Sequence, residues 1–229
     1  MPICTAVVGA GRMGSVVARQ LPKRTKKIII DSDREKALHL AQSIKGLASD
    51  RLESAREAEV VAIVLPTPAV NATIAVLVDI AKPESIILNM ATTAHVDPAL
   101  LALRSDIAII DAKIIGHAAS IAGGAPSIIV VDCPDGSKFR QIQDQLPGFH
   151  KVVQGEAARV EKINRAASTE GIRAAVRVRQ QLLNLKVPEE WIDVALQTVC
   201  AGTVKAFAAN DLGHFALELA RKIEREEAS

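Results

Sequence analysis

Short runs of Val, Ile and Leu recur along the first two-thirds of the chain, at residues 3–8, 28–30, 60–65, 85–88, 107–110, 127–131 and 150–153. These runs are near-continuous rather than alternating, and helical patterns lie between them. A strand that is apolar on both faces needs cover on both faces, so the pattern predicts a mostly parallel sheet with helices on either side. Pro66, Pro68, Pro83, Pro98, Pro126, Pro134 and Pro147 punctuate the connections.

After Gly155 the pattern becomes helical throughout. From Val160, the apolar or small residues Ile163, Ala167, Gly171, Ala174, Val178, Leu182 and Leu185 follow at steps of three and four, which traces one stripe along a single long helix. Pro188 before Glu189 and Glu190 marks a new helix start, and either Asn210-Asp211 or Gly213 separates the last two helices. The expected architecture is therefore α/β: a doubly wound, mostly parallel sheet over residues 1–154, then a small all-α domain over 155–229 entered by one long interdomain helix. About 30 helical residues span about 45 Å, more than one small domain covers. A second copy of the chain, packed through these C-terminal helices as a homodimer, is expected to complete their core.

The first strand and first helix enclose the most informative motif, Gly9-Ala10-Gly11-Arg12-Met13-Gly14, and the second strand ends on Asp31. Strand, glycine loop, helix, strand and acid, with the acid about 20 residues after the first glycine, form the dinucleotide-binding pattern of a Rossmann domain. Gly9 makes the tight turn, Gly11 lets the backbone approach a pyrophosphate, and Gly14 lets the helix pack closely on the strand. The phosphates then lie beside Arg12 and Met13 at a helix N-terminus, where free N–H groups and the helix dipole favour negative charge. Asp31 is expected to bond the adenosine ribose hydroxyls and to repel a 2′-phosphate, which favours NAD. Ser32 and Arg34 lie close by, and Arg34 is the residue that reverses that choice towards NADP.

Composition narrows the field. The net charge of +2 over 229 residues is close to balance, and the dense basic run at residues 23–27 has no aromatic residues among it, so it reads as a solvated loop and not as a nucleic-acid surface. Aromatic residues make up 2% of the chain and tyrosine is absent, which argues against recognition by stacking on bases or sugars. Cys4, Cys133 and Cys200 are odd in number and lack metal-ligand or redox spacing, so they read as reduced thiols, with no metal site expected. No apolar run approaches the length of a membrane span, and the N-terminal run reads as a first strand rather than a signal peptide. A cytoplasmic protein acting on a small molecule, without nucleic acid or membrane partners, is expected.

Several motifs, in order, resemble the β-hydroxyacid dehydrogenase superfamily, which includes 3-hydroxyisobutyrate and 6-phosphogluconate dehydrogenases. Val64-Leu65-Pro66-Thr67-Pro68 resembles the leucine-proline loop that lies over the cofactor in that family. Asn89-Met90-Ala91-Thr92 resembles its Asp-Met-Ser-Thr turn, and Asp111-Ala112-Lys113-Ile114-Ile115-Gly116-His117 resembles its Asp-Ala-Pro-Val-Ser-Gly-Gly substrate loop. The resemblance covers roughly residues 3–186 and is nearest to a divergent 6-phosphogluconate-dehydrogenase-like branch. It implies a hydride-transferring oxidoreductase using NAD, or NADP, with Leu65, Pro66, Thr67 and Ala91 added to the cofactor-binding set.

On the long helix the resemblance places Lys162 at the position of the family's catalytic lysine, as general base in oxidation and general acid in reduction; otherwise it is a solvated helix lysine. Arg165 and Thr169 share its face. Arg165 either clamps a substrate carboxylate or pairs with Glu161 or Glu156, and Asn164 stands near the family's usual asparagine. His117 is either a second proton-transfer candidate or a surface histidine. Thr92, Thr93 and Ser120 are further candidates for substrate contact. Two departures stand out: Ile115 replaces the substrate-loop serine, and His117 replaces its second glycine. These departures keep open a pyrroline-5-carboxylate-reductase-like imine reductase, for which Ala201-Gly202-Thr203-Val204 is a faint echo of the substrate turn, and a non-catalytic dinucleotide sensor.

Overall fold

Side chains along each central strand divide between two buried clusters, one on either face of an eight-stranded sheet, in the computed structural model, which describes residues 3–227. The strands are β1 (Cys4–Val8), β2 (Lys26–Ile30), β3 (Leu47–Ser49), β4 (Val60–Ile63), β5 (Ile86–Asn89), β6 (Ala108–Ile115), β7 (Ile128–Val131) and β8 (Lys151–Gln154). Their order is β3-β2-β1-β4-β5-β6-β7-β8, parallel throughout except for the β6–β7 pair. Val7, Ile29, Ala62 and Leu88 face one cluster; Ala6, Ile28, Val61 and Ile87 face the other. That period of two is the pleat of a strand buried on both sides.

Helices α1 (Arg12–Gln20) and α2 (Arg34–Ile44) follow β1 and β2, and α3 (Thr67–Ile80) follows β4. Short α4 (Pro98–Leu101) and α5 (Ala118–Ala122) flank β6, and α6 (Gly136–Gln145) links β7 to β8. Because β1 lies between β2 and β4, the chain winds outward in opposite directions from it, which opens a crevice at the carboxyl ends of β1 and β4.

Three details differ from the sequence reading. β3 has only three residues, too few to show a pattern. β6 continues to Ile115 through the stretch read as a substrate loop: residues 108–111 pair with β5, and residues 112–115 then pair antiparallel with β7, with Ala112 and Ile114 buried. The basic run is not wholly solvated, since β2 begins at Lys26 and Lys27 is 7% exposed, its ammonium donating to the Pro22 carbonyl at 2.9 Å. Burial lowers the Lys27 pKa from its ordinary value.

The chain forms two compact units, Met1–Asn164 and Arg165–Ser229. The division falls after Asn164 and not at residue 154, because the first turns of α7 (Arg159–Asn184) pack with the sheet: Val160 is fully buried and Asn164 Nδ2 donates to the Ile114 carbonyl at 2.8 Å. The second unit continues through α8 (Glu189–Val194), a π-helical turn at Ala195–Cys200, α9 (Ala201–Ala208) and α10 (His214–Glu227). Among its described residues Ile192 alone is buried. All three cysteines are free thiols, and no helix among the described residues is long and apolar enough to cross a membrane.

Candidate functional site

The glycine loop is shaped by two collisions it avoids. Gly9 adopts φ +107° beneath the Val64 carbonyl, and its N–H donates to the Ile30 carbonyl at 2.7 Å. A Cβ on Gly14 would run into the carbonyl of Gly9. These two glycines let the backbones of β1, α1 and the segment after β4 touch directly.

Gly11 is different. A Cβ there would meet nothing within 4 Å, and its φ of −68° suits any residue. The fold gives no reason for glycine at this position, whereas a ligand approaching the backbone does. Gly11 caps α1 with no side-chain hydrogen bond and no acid in the first turn. The first helical bond runs from Ser15 N to the Gly11 carbonyl at 2.9 Å, so the N–H groups of residues 12–14 have no partner within the helix. This is a cradle for an anion. The residues present therefore fit a dinucleotide pyrophosphate.

Asp31 stands beside it. Its Oδ2 accepts from the Ala10 N–H at 2.7 Å and its Oδ1 from the Asp33 N–H at 2.9 Å, which locks the carboxylate at the end of β2. A carboxylate has about four lone-pair sites, so acceptor capacity remains for hydroxyls. Ser32 and Arg34 follow it, both exposed.

A cleft of about 420 Å³ extends from the loop across the carboxyl ends of β4, β5 and β6. It gathers nine of the residues expected from sequence: Gly11, Arg12, Met13, Gly14, Leu65, Pro66, Ala91, Thr92 and His117. His117 is exposed and caps α5. Thr67 and Thr93 are engaged with each other, Oγ1 to Oγ1 at 2.5 Å. Ser120 is exposed on α5 and is not part of the cleft lining.

The helix residues divide between the two units. Lys162 is exposed on α7, between the buried Val160 and Asn164, and the Asn164 amide nitrogen is engaged in tying that turn to β6. Glu161 Oε2 lies 3.7 Å from His95 Nε2. Arg165 and Thr169 are exposed in the second unit. Glu156, one of the expected partners of Arg165, pairs with Arg159 at 2.6 Å.

Sequence reasoning missed the polar network beneath the cleft. Lys113 on β6 is 1% exposed, and its Nζ donates to the carbonyls of Ala91 at 2.6 Å and Ala94 at 2.7 Å, with Asp111 Oδ1 at 3.3 Å. Asn89, fully buried, donates to the Ala94 carbonyl at 2.9 Å and to Asp111 Oδ1 at 2.8 Å, and accepts from the Ala91 N–H at 3.2 Å. Burial pushes the Lys113 ammonium below the ordinary lysine range, opposed chiefly by Asp111. A lysine and an aspartate set between the apolar pairs Ile109-Ile110 and Ile114-Ile115 were the visible signal. Among the described residues no group of His, Cys, Asp or Glu is placed to hold a metal ion.

Residues 5–92 match the sequence model of the family described as NADP oxidoreductase coenzyme F420-dependent. A search of the curated proteins finds none that matches in sequence. Among solved structures, 3-hydroxyisobutyrate dehydrogenase from Salmonella typhimurium is 19% identical with a TM-score of 0.71, over 91% of this chain and 79% of that one. A pyrroline-5-carboxylate reductase from Coxiella burnetii is 12% identical with a TM-score of 0.71, over 96% and 84%. An imine reductase from Pseudomonas sp. is 20% identical with a TM-score of 0.64, over 100% and 86%. Residues 5–92 thus match an NAD(P)-binding oxidoreductase family, and the chain as a whole shares the fold of these dehydrogenases and reductases.

Proposed function

We propose that this chain is an NAD(P)-dependent oxidoreductase of the 6-phosphogluconate and 3-hydroxyisobutyrate dehydrogenase type, passing hydride between nicotinamide and a small hydroxy acid, oxo acid or related compound. The observation that carries the reading is Gly11, a glycine the fold does not require, set at an uncapped helix N-terminus next to a locked carboxylate. A second reading, reduction of an imine, draws support from Ile115, which leaves no hydroxyl at the position where the dehydrogenases carry a substrate-binding serine.

Bound nicotinamide supplies or accepts the hydride. The chain's own part is to anchor, orient and move a proton. The N–H groups opening α1 hold the pyrophosphate, and Asp31 holds ribose hydroxyls. Lys162 transfers the proton at the substrate oxygen or nitrogen. It sits on the turn of α7 that Asn164 ties to the carboxyl end of β6, next to the strand ends that form the cleft. His117, which lines the cleft, is the alternative proton group.

A second copy of the chain completes the helical unit. Ile172, Val176, Leu185, Trp191 and Phe215 are 62–82% exposed, and an apolar hollow of about 280 Å³ runs between Val204, Phe207, Leu219 and Ile223. Helices that lack an interior of their own need permanent cover, and an identical chain is always present in equal number.

Three outcomes follow. NADH oxidation with a panel of oxo acids, aldehydes and cyclic imines should show turnover, which Lys162→Met lowers by about 10²- to 10⁴-fold while NADH affinity is kept; wild-type rates in that variant, with loss in His117→Gln, would transfer the proton role to His117. Fluorescence titration should show tighter binding of NADH than NADPH, because Asp31 meets a 2′-phosphate with like charge; tighter NADPH would give the adenosine end to Arg34. Sedimentation at micromolar concentration should give twice the 24.3 kDa of one chain, and a clean monomer would contradict the dimer.

A further inference from the structure

A buried ammonium is costly, and nothing about filling the core requires one at position 113, where an apolar side chain of similar length would pack. Its surroundings account for it. The Ala91 and Ala94 carbonyls and Asp111 Oδ1 provide three acceptors for the three donors of a charged lysine. Both carbonyls belong to one turn, residues 90–95, which leaves the carboxyl end of β5 and whose first residues, Met90, Ala91 and Thr92, line the cleft. Asn89 grips the same turn from below through Ala91 N–H and Ala94 O. The turn contains no regular structure. Side chains from β5 and β6 hold it from beneath, at Ala91 and Ala94, while Thr67 and Asn71 of α3 bond Thr93 and the His95 carbonyl at its far end.

The direction of the ligand follows from the sheet order. Asp31 closes β2 on one side of the glycine loop, and β4, β5 and β6 lie on the other. A dinucleotide whose pyrophosphate rests at Gly11 and whose adenosine ribose reaches Asp31 therefore extends its nicotinamide half across β4 towards β5, over the 90–95 turn. On the basis of the cofactor reading above, we propose that Lys113 is a positioning residue, fixing from beneath the turn that carries Ala91 and Thr92 against the nicotinamide half of the bound dinucleotide. Asp111 Oδ1, 3.3 Å away, gives the ammonium its third acceptor and helps to aim it. Lys113 has no contact with solvent and serves neither as a nucleophile nor as a proton donor to substrate.

The test compares two ligands that share the adenosine diphosphate and ribose but differ in the nicotinamide. NADH and ADP-ribose are titrated against the wild-type protein and Lys113→Met, with circular dichroism to show that the variant is folded. The expected result is NADH affinity lowered about tenfold or more, as for loss of charge-assisted hydrogen bonds, with ADP-ribose affinity unchanged within about twofold. Equal losses for both ligands would reduce Lys113 to a general structural role and overturn the proposal, as would unchanged NADH affinity. Should Lys113→Met not fold, Lys113→Gln keeps amide donors on a shorter stem, and the same selective loss, smaller in size, is expected of it. A wild-type protein that binds ADP-ribose and NADH, with a variant that does the same, overturns this inference alone; a wild-type protein that binds neither overturns the cofactor reading beneath it.

Discussion

The rest of the structure depends on a contact between backbones. Gly9 and Gly14 have no side chains, so the start of α1 lies directly against the end of β1, and the segment after β4 lies directly against both. With that contact made, the N-terminus of α1 is pinned above the carboxyl end of the central strand, at the point where the winding of the sheet reverses. Its unpaired N–H groups then open into the crevice and not into solvent at large. The Ala10 N–H is left pointing at Asp31, so the same contact that builds the anion cradle also locks the neighbouring carboxylate.

From this seam the site is built outward by polar groups seated in an apolar sheet. Asn89, Asp111 and Lys113 occupy adjacent places on β5 and β6, where Asn89 and Asp111 pair in register, and they convert two strand ends into a support for an irregular turn. The network has a favourable balance because each buried donor has an acceptor; a half-satisfied version would be worse than an apolar core. The helical unit is organised differently. Its apolar stripes are exposed and Ile192 is its one buried described residue, and the proposed dimer rests on that exposure.

The strands were legible because burial on both faces writes continuous Val and Ile runs, and the glycine loop because its three glycines stand at fixed offsets from the strand and acid around them. The long helix was legible from its stripe. What stayed hidden arises from tertiary partners. β3 is a strand because β2 offers it an edge, not because Leu47, Ala48 and Ser49 prefer one. The extension of β6 to Ile115 depends on β7 arriving antiparallel from a distant part of the chain. Lys113 was seen as one letter of a loop motif, and its role is set by carbonyls about 20 residues earlier in the chain, which no local pattern encodes. Lys162 and His117 were named together from sequence, but the fold sets His117 on the cleft wall and Lys162 on an exposed helix turn.

The central claim is that the glycine loop is a dinucleotide cradle in which Gly9 and Gly14 serve the fold while Gly11 serves the ligand. The most direct measurement pairs thermal melting with NADH titration for Gly11→Val and Gly14→Ala. Because a side chain at position 11 meets open space and one at position 14 meets the Gly9 carbonyl, Gly11→Val should melt within a few degrees of the wild-type protein and lose NADH binding, and Gly14→Ala should be destabilised by about 1–3 kcal/mol or more. Retention of wild-type NADH affinity by a folded Gly11→Val protein would contradict the account.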